Sequence, residues 1–164
     1  MKTAIIIDID NITLDDLDVI RSLRHDGAHF YAVGLAPSKF NYKKCVQQLD
    51  SNRPKFHQLV RIFAAIPSDL TLVANTVASP ESSDVAIAKL VGSKIVGHFD
   101  RAVLVSNDNS IMMVGIMLKQ IMPTWVMVTK HIKNHLQDTN RKMHGVPIIR
   151  AKHWGISNLL ERYV

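Results

Sequence analysis

A chain of 164 residues with 47% hydrophobic residues can fill one continuous core, and its seven Gly and six Pro form no linker, repeat or low-complexity tract, so one domain over residues 1–164 is expected. The apolar run at Met1–Ile7 is too short for a signal sequence, no stretch approaches the roughly 20 apolar residues of a membrane span, and the single cysteine, Cys45, excludes an internal disulfide or an all-thiolate metal site; a cytoplasmic protein without a membrane partner is expected. The formal charge of +6 is concentrated in a basic C-terminal segment, about 130–164, where Lys130, Lys133, Arg141, Lys142, Arg150 and Lys152 face one acid, Asp138, between Lys130 and His153, a pattern suited to a phosphate backbone.

In chain order, Lys2–Asp10 is a β-branched run without polar alternation and reads as a buried strand of a parallel sheet. Thr13, Asp15 and Asp16 mark a helix start, with the helix running to about Arg24 and stopping near Gly27. His29–Ala36 reads as a second strand. Phe40–Leu49 and Lys55–Ala65 read as two helical segments, separated by the turn-forming Asp50-Ser51-Asn52-Arg53-Pro54. Leu70–Val77 is a third strand, followed by a helix from about Asp84 with Val85, Ala88, Val91 and Ile95 as its apolar positions. Ala102–Ser106 is a fourth strand. The next helix, Ser110–Met122, assigns Met112, Met113, Ile116, Met117 and Ile121 to core packing. Trp125–Thr129 is a fifth strand, with Trp125 in the core; Val146–Ile149 reads as a short edge strand and Ser157–Tyr163 as a last helix. Strands alternating with helices, without tight hairpin signals, specify an α/β fold: a mainly parallel sheet of about five strands covered by helices on both faces.

In such a sheet, ligands bind beyond the carboxyl ends of the strands. Asp8 and Asp10 close the first strand, Asp108 follows the fourth, and Asp84 opens the helix that enters between them, so these acids converge on one edge. Carboxylates crowded together raise each other's pKa values, and a bound cation removes that penalty. Their hard oxygen donors suit Mg²⁺ or Mn²⁺, with Asp8, Asp84 and Asp108 as the ligands. Other polar features read more simply. His131 and His135 have helical spacing but no third zinc ligand and read as part of a basic helix face; Trp154, beside Lys152 and His153, is a candidate RNA or protein contact.

The run Ile6-Ile7-Asp8-Ile9-Asp10-Asn11 resembles the opening motif of the NYN domains, a branch of the PIN-like nuclease superfamily. Ser83-Asp84-Val85-Ala86 is similar to that family's central helix start, and Val103-Leu104-Val105-Ser106-Asn107-Asp108 to its strand ending in Ser-x-Asp. The resemblance spans about residues 4 to 129. It implies a three-layer α/β/α sandwich of PIN-like, Rossmann-like type and metal-dependent endoribonuclease activity. Catalytic residues would be Asp8, Asp84, Asp108 and Asp10, with Asp10 a further ligand or a positioner of the attacking water. Asn11, Ser106 and Asn107 would form the substrate-binding set, with Asn11 bonding the substrate phosphate or orienting Asp8 and Ser106 standing behind the ligands, and Lys130, Lys133, Arg141 and Lys142 would hold the RNA backbone. Two positions depart from the pattern: Ser110 stands where the family has a further acid, and Glu81 where it has Lys. Loss of that acid favours one ion over two and lower turnover. An inactive NYN-like domain that binds RNA or a protein partner, or self-associates, is therefore the alternative. Asp8-Ile9-Asp10 is also similar to the Asp-x-Asp start of haloacid-dehalogenase-like phosphatases, although Ile12 replaces the expected Thr.

Overall fold

The computed structural model describes residues 1–35, 46–75, 82–128 and 147–150. Six parallel strands form one sheet in the order β3-β2-β1-β4-β5-β6. They are β1 (Thr3–Asp8), β2 (Ala28–Leu35), β3 (Leu70–Asn75), β4 (Arg101–Val105), β5 (Thr124–Val128) and β6 (Ile148–Arg150). The intervening helices are α1 (Asp16–Arg21), α2 (Val46–Ile62), α3 (Ser82–Leu90) and α4 (Asn109–Lys119). This is the expected three-layer α/β arrangement, with the predicted edge strand present as the sixth. No described helix is long and apolar enough to cross a membrane.

The central strands lack polar alternation because both of their faces are covered. Every residue of β1 and of β5 is buried. Ile5, Ile7, Phe30, Val103, Val105 and Trp125 face one layer, where they pack with Leu17, Leu23, Leu59 and Phe63 from the α1 and α2 region. Ala4, Ile6, Val33, Leu104 and Val126 face the other, against Ile87, Leu90, Ile111, Met112 and Ile116 from α3 and α4. The period-two alternation therefore separates two apolar clusters instead of a core and a solvent face.

Two expectations about helices need correction. Residues 50–54 do not break the chain into two helices: α2 is continuous through Pro54. A proline inside a helix removes one backbone hydrogen bond and crowds the preceding turn, at a cost of about 3 kcal/mol. Helix continuity is offset by what this stretch anchors. Asn52 and Lys55 are both buried and bonded to the loop after β1 or the end of β2. The apolar faces of α3 and α4 also differ from those expected. Val91 and Ile95 are buried as expected, within a single wide turn at Val91–Ile95 closed by Val96 N–H donating to the Val91 carbonyl, but Val85, 66% exposed, and Ala88 face solvent, and Ile87 and Leu90 pack in their place. In α4 and the turn after it, Met112 and Ile116 are buried as expected, but Met113, Met117 and Ile121 lie at the surface, while Ile111, Leu118 and Met122 pack inward. Every position of α4 from Ile111 to Leu118 is apolar or Gly, so its periodicity does not choose a face.

Candidate metal centre

In the strand order, the connections leave in opposite directions from the adjacent β1 and β4. That reversal opens a crevice at their carboxyl ends, the place where doubly wound sheets bind ligands. Asp8 is the last residue of β1, and β4 ends at Val105, followed by Ser106, Asn107 and Asp108. Asp8 shares the strand-face parity of Ala4 and Ile6, so its side chain emerges on the side covered by α3 and α4. Asp84 lies in the first turn of α3, and Asp108 caps the start of α4, accepting from Ser110 N–H at 3.3 Å. One carboxylate oxygen from each of Asp8, Asp84 and Asp108 lies within 4.8 Å of the others. The three predicted ligands are thus brought together from positions up to 100 residues apart.

Asp8 is fully buried. Its Oδ2 accepts from Asn11 Nδ2 at 2.7 Å and from Ser106 Oγ at 2.6 Å, whereas its equally buried Oδ1 has no hydrogen-bond partner. Burial pushes its pKa from the ordinary 3.8 to about 6; the bonds from Ser106 and Asn11 pull it down, and the charges of Asp10 and Asp84 push it up again. A buried acceptor without a donor, beside two further carboxylates, is the arrangement a cation satisfies. Three carboxylate donors fit a hard divalent ion such as Mg²⁺ or Mn²⁺, which completes its shell with water or phosphate oxygens.

The other predicted site residues divide into those that shape the centre and those that stand apart from it. Ser106, 2% exposed, both donates to Asp8 and accepts from the Asp108 N–H at 3.0 Å, tying two of the three acids together. Asn107 Nδ2 donates to the Asn11 carbonyl at 3.0 Å and clips the loop after β4 to the turn after β1. Asn11 spends its amide on Asp8. These three orient the centre. Asp10 lies outside the three-acid group: its Oδ1 accepts from Leu35 N–H at 3.0 Å and Asn52 Nδ2 at 2.6 Å, and its Oδ2 accepts from Ser83 Oγ. With both oxygens turned to protein donors, it braces the turn after β1 instead of joining the acids. Ser110 is exposed and contributes its backbone N–H to Asp108. Lys130, Lys133, Arg141 and Lys142 lie outside the described residues, as do Cys45, Glu81, His131, His135, Trp154 and the helix expected over 157–163.

The brace contains residues that sequence reading missed. Lys55 Nζ donates to the Ile9 carbonyl at 2.9 Å and to Asn52 Oδ1 at 3.4 Å, while Asn52 also donates to the Leu35 carbonyl at 2.9 Å and accepts from Gln48 Nε2 at 2.8 Å. Gln48, Asn52 and Lys55 stand at i, i+4 and i+7, a polar stripe on one helix face. That stripe becomes visible only once the helix is carried through Pro54. Gly34 lets the network close: a Cβ there would stand 2.7 Å from Ile9 Cβ and 3.2 Å from Asp10 Oδ1, so β2 can approach the turn after β1 only without a side chain.

No family model matches the chain, and no curated protein matches it in sequence. Among solved structures, a protein of unknown function from Vibrio parahaemolyticus is similar in fold, with a TM-score of 0.58 and 16% sequence identity over 93% of each chain. At that identity the likeness extends to the fold, so the three-layer architecture is common to both proteins.

Proposed function

We propose that this chain is a metal-dependent endoribonuclease of NYN type, in which Asp8, Asp84 and Asp108 hold one Mg²⁺ or Mn²⁺ ion. The observation that carries the reading is the buried, unpartnered Oδ1 of Asp8 beside the carboxylates of Asp84 and Asp108. Bound there, such an ion supplies Lewis-acid chemistry: it lowers the pKa of a coordinated water and offsets charge developing on a phosphoryl oxygen. Asn11 and Ser106 hold Asp8 Oδ2, which leaves Oδ1 without a protein donor and open to a cation. Ser106 links the Asp8 carboxylate to the backbone of Asp108, so one hydroxyl bridges two of the proposed ligands. Neutral Ser110, in place of a further acid, keeps the cluster at three carboxylates and favours a single ion. The basic segment that includes Lys130, Lys133, Arg141 and Lys142 adds sequence-independent affinity for the RNA backbone. Cytoplasm is the compartment that suits this substrate and the single Cys45.

The test is cleavage of single-stranded and structured RNA by the purified protein in Mg²⁺ or Mn²⁺. Cleavage stopped by EDTA and abolished in Asp8→Asn and Asp108→Asn is expected; wild-type-like cleavage by either variant would sink the assignment. Ser110 also supports a second reading, an RNA-binding module without turnover. RNA binding that survives EDTA, with no cleavage at any metal concentration, would favour it. A phosphatase mechanism with Asp10 as general acid is disfavoured, because both Asp10 oxygens are engaged by Leu35, Asn52 and Ser83.

A further inference from the structure

A groove of about 510 Å³ runs between α3 and the β2–β3 side of the sheet. Its floor is apolar, with Tyr31 and Val73 from the strands and Ala86 and Leu90 from the helix; Lys89 and Lys94 stand on its helical wall. The positions 86, 89, 90 and 94 follow helical spacing, so one face of α3 and its extension supplies both the apolar and the cationic part. Both lysines are exposed, and no acid lines the groove among the described residues.

Two relations bring the groove near the acid cluster, although fully buried Val33 lies between Asp8 and the floor. Asp8 pairs with Val33, and Val33 pairs with Val73, so the groove floor lies on the same cross-strand row as Asp8, two strands away, roughly 10 Å at the usual strand spacing. The helix that forms the wall carries Asp84 in its first turn, two residues before Ala86. An apolar floor with an aromatic ring, bordered by cations and without acids, matches a polymer that alternates flat apolar rings with phosphates. Tyr31 is partly buried and fixed by its neighbours. Its ring is tilted against His29 at a centroid distance of 4.7 Å and meets Phe99 edge-on at 6.1 Å.

We propose that this groove is the path of the single-stranded RNA segment that extends from the metal centre, with a base resting on Tyr31 and phosphates paired with Lys89 and Lys94. The proposal builds on the ribonuclease reading, and its test is separable from it because binding is measured without metal. The probe is a fluorescein-labelled single-stranded RNA 12-mer, titrated with full-length protein in EDTA and followed by anisotropy. The double variant K89E/K94E is expected to weaken binding at least tenfold and to reduce the slope of log affinity against log salt by about 1.4, the value for two phosphates of a single strand. K2E/R61E changes charge equally at two exposed sites away from the groove and is expected to lose less than threefold. Tyr31→Leu is expected to lose about tenfold, and Tyr31→Phe to retain wild-type affinity, with unfolding midpoints confirming that each variant folds.

Affinity of K89E/K94E within twofold of wild type, or a loss no larger than that of K2E/R61E, would overturn the groove as the RNA path. So would absence of RNA binding by the wild type in EDTA, or a self-association that K89E/K94E disrupts while RNA affinity stays unchanged, which assigns the groove to a second copy. Groove-dependent binding without cleavage on adding Mn²⁺ supports the groove and removes the nuclease. Cleavage that is indifferent to K89E/K94E does the reverse.

Discussion

Asp8 illustrates how one residue connects stability to ligand binding. Its carboxyl is fully buried, and its pKa rises to about 6, so the metal-free folded state holds a proton there more tightly than the unfolded chain does. The resulting stability is fully present below the ordinary pKa of 3.8 and is lost as pH rises through about 6. The size of the effect is about 3 kcal/mol. Urea unfolding in EDTA should therefore show that Asp8→Asn is more stable than wild type at pH 7.5, by an amount of that order, and that the difference shrinks toward pH 4. A variant less stable than wild type at pH 7.5 would contradict this account of the buried carboxylate. The same proton competes with a cation. Mn²⁺ affinity measured by calorimetry should fall below about pH 6, approaching tenfold per pH unit, and should level off above it.

At the scale of elements, α2 and α4 show where the sequence is informative and where it is not. The strands β1, β4 and β5 are legible because uninterrupted apolar runs between turn signals have few other solutions. The breadth of α2 is not legible, because Asn52 and Pro54 carry turn preferences that tertiary bonding overrides. Asn52→Ala removes donors to Asp10 and the Leu35 carbonyl and should cost about 2 kcal/mol in urea unfolding. It should also weaken Mn²⁺ binding, because the turn that leads away from Asp8 loses a brace; an unchanged metal affinity would show that Asp10 and Asn52 serve the fold alone. In α4, near-uniform apolarity conceals which side meets the sheet. Ile116→Ala should cost about 2–4 kcal/mol, whereas Met117→Lys, at a position 65% exposed, should change stability by less than about 0.5 kcal/mol.

For the whole molecule, topology assembles the centre. A sheet ordered 3-2-1-4-5-6 sets β1 beside β4 and places Asp8 next to the Ser106–Asp108 loop, although nearly 100 residues separate them in the chain. The three acids were legible because each falls at the carboxyl end of a strand or the start of a helix, where a parallel sheet collects ligands. Asp10 shares that address, yet the protein engages it elsewhere, since its partners Ser83 and Asn52 come from helices whose approach no local pattern encodes. The supporting layer of Asn52, Lys55 and Gly34 was hidden for the same reason. The proposed division of labour has Asp8, Asp84 and Asp108 as the ligands, while Asn11, Ser106 and Asn107 make the hydrogen bonds that join the turn after β1 to the loop after β4.

The most direct test of that division is anomalous diffraction from crystals soaked in saturating Mn²⁺. A single anomalous peak within coordination distance of Asp8 Oδ1, Asp84 and Asp108, lost in crystals of Asp8→Asn, is predicted. No peak among the three carboxylates at saturating metal, or an ion held by Asp10 in place of Asp8, would contradict the account.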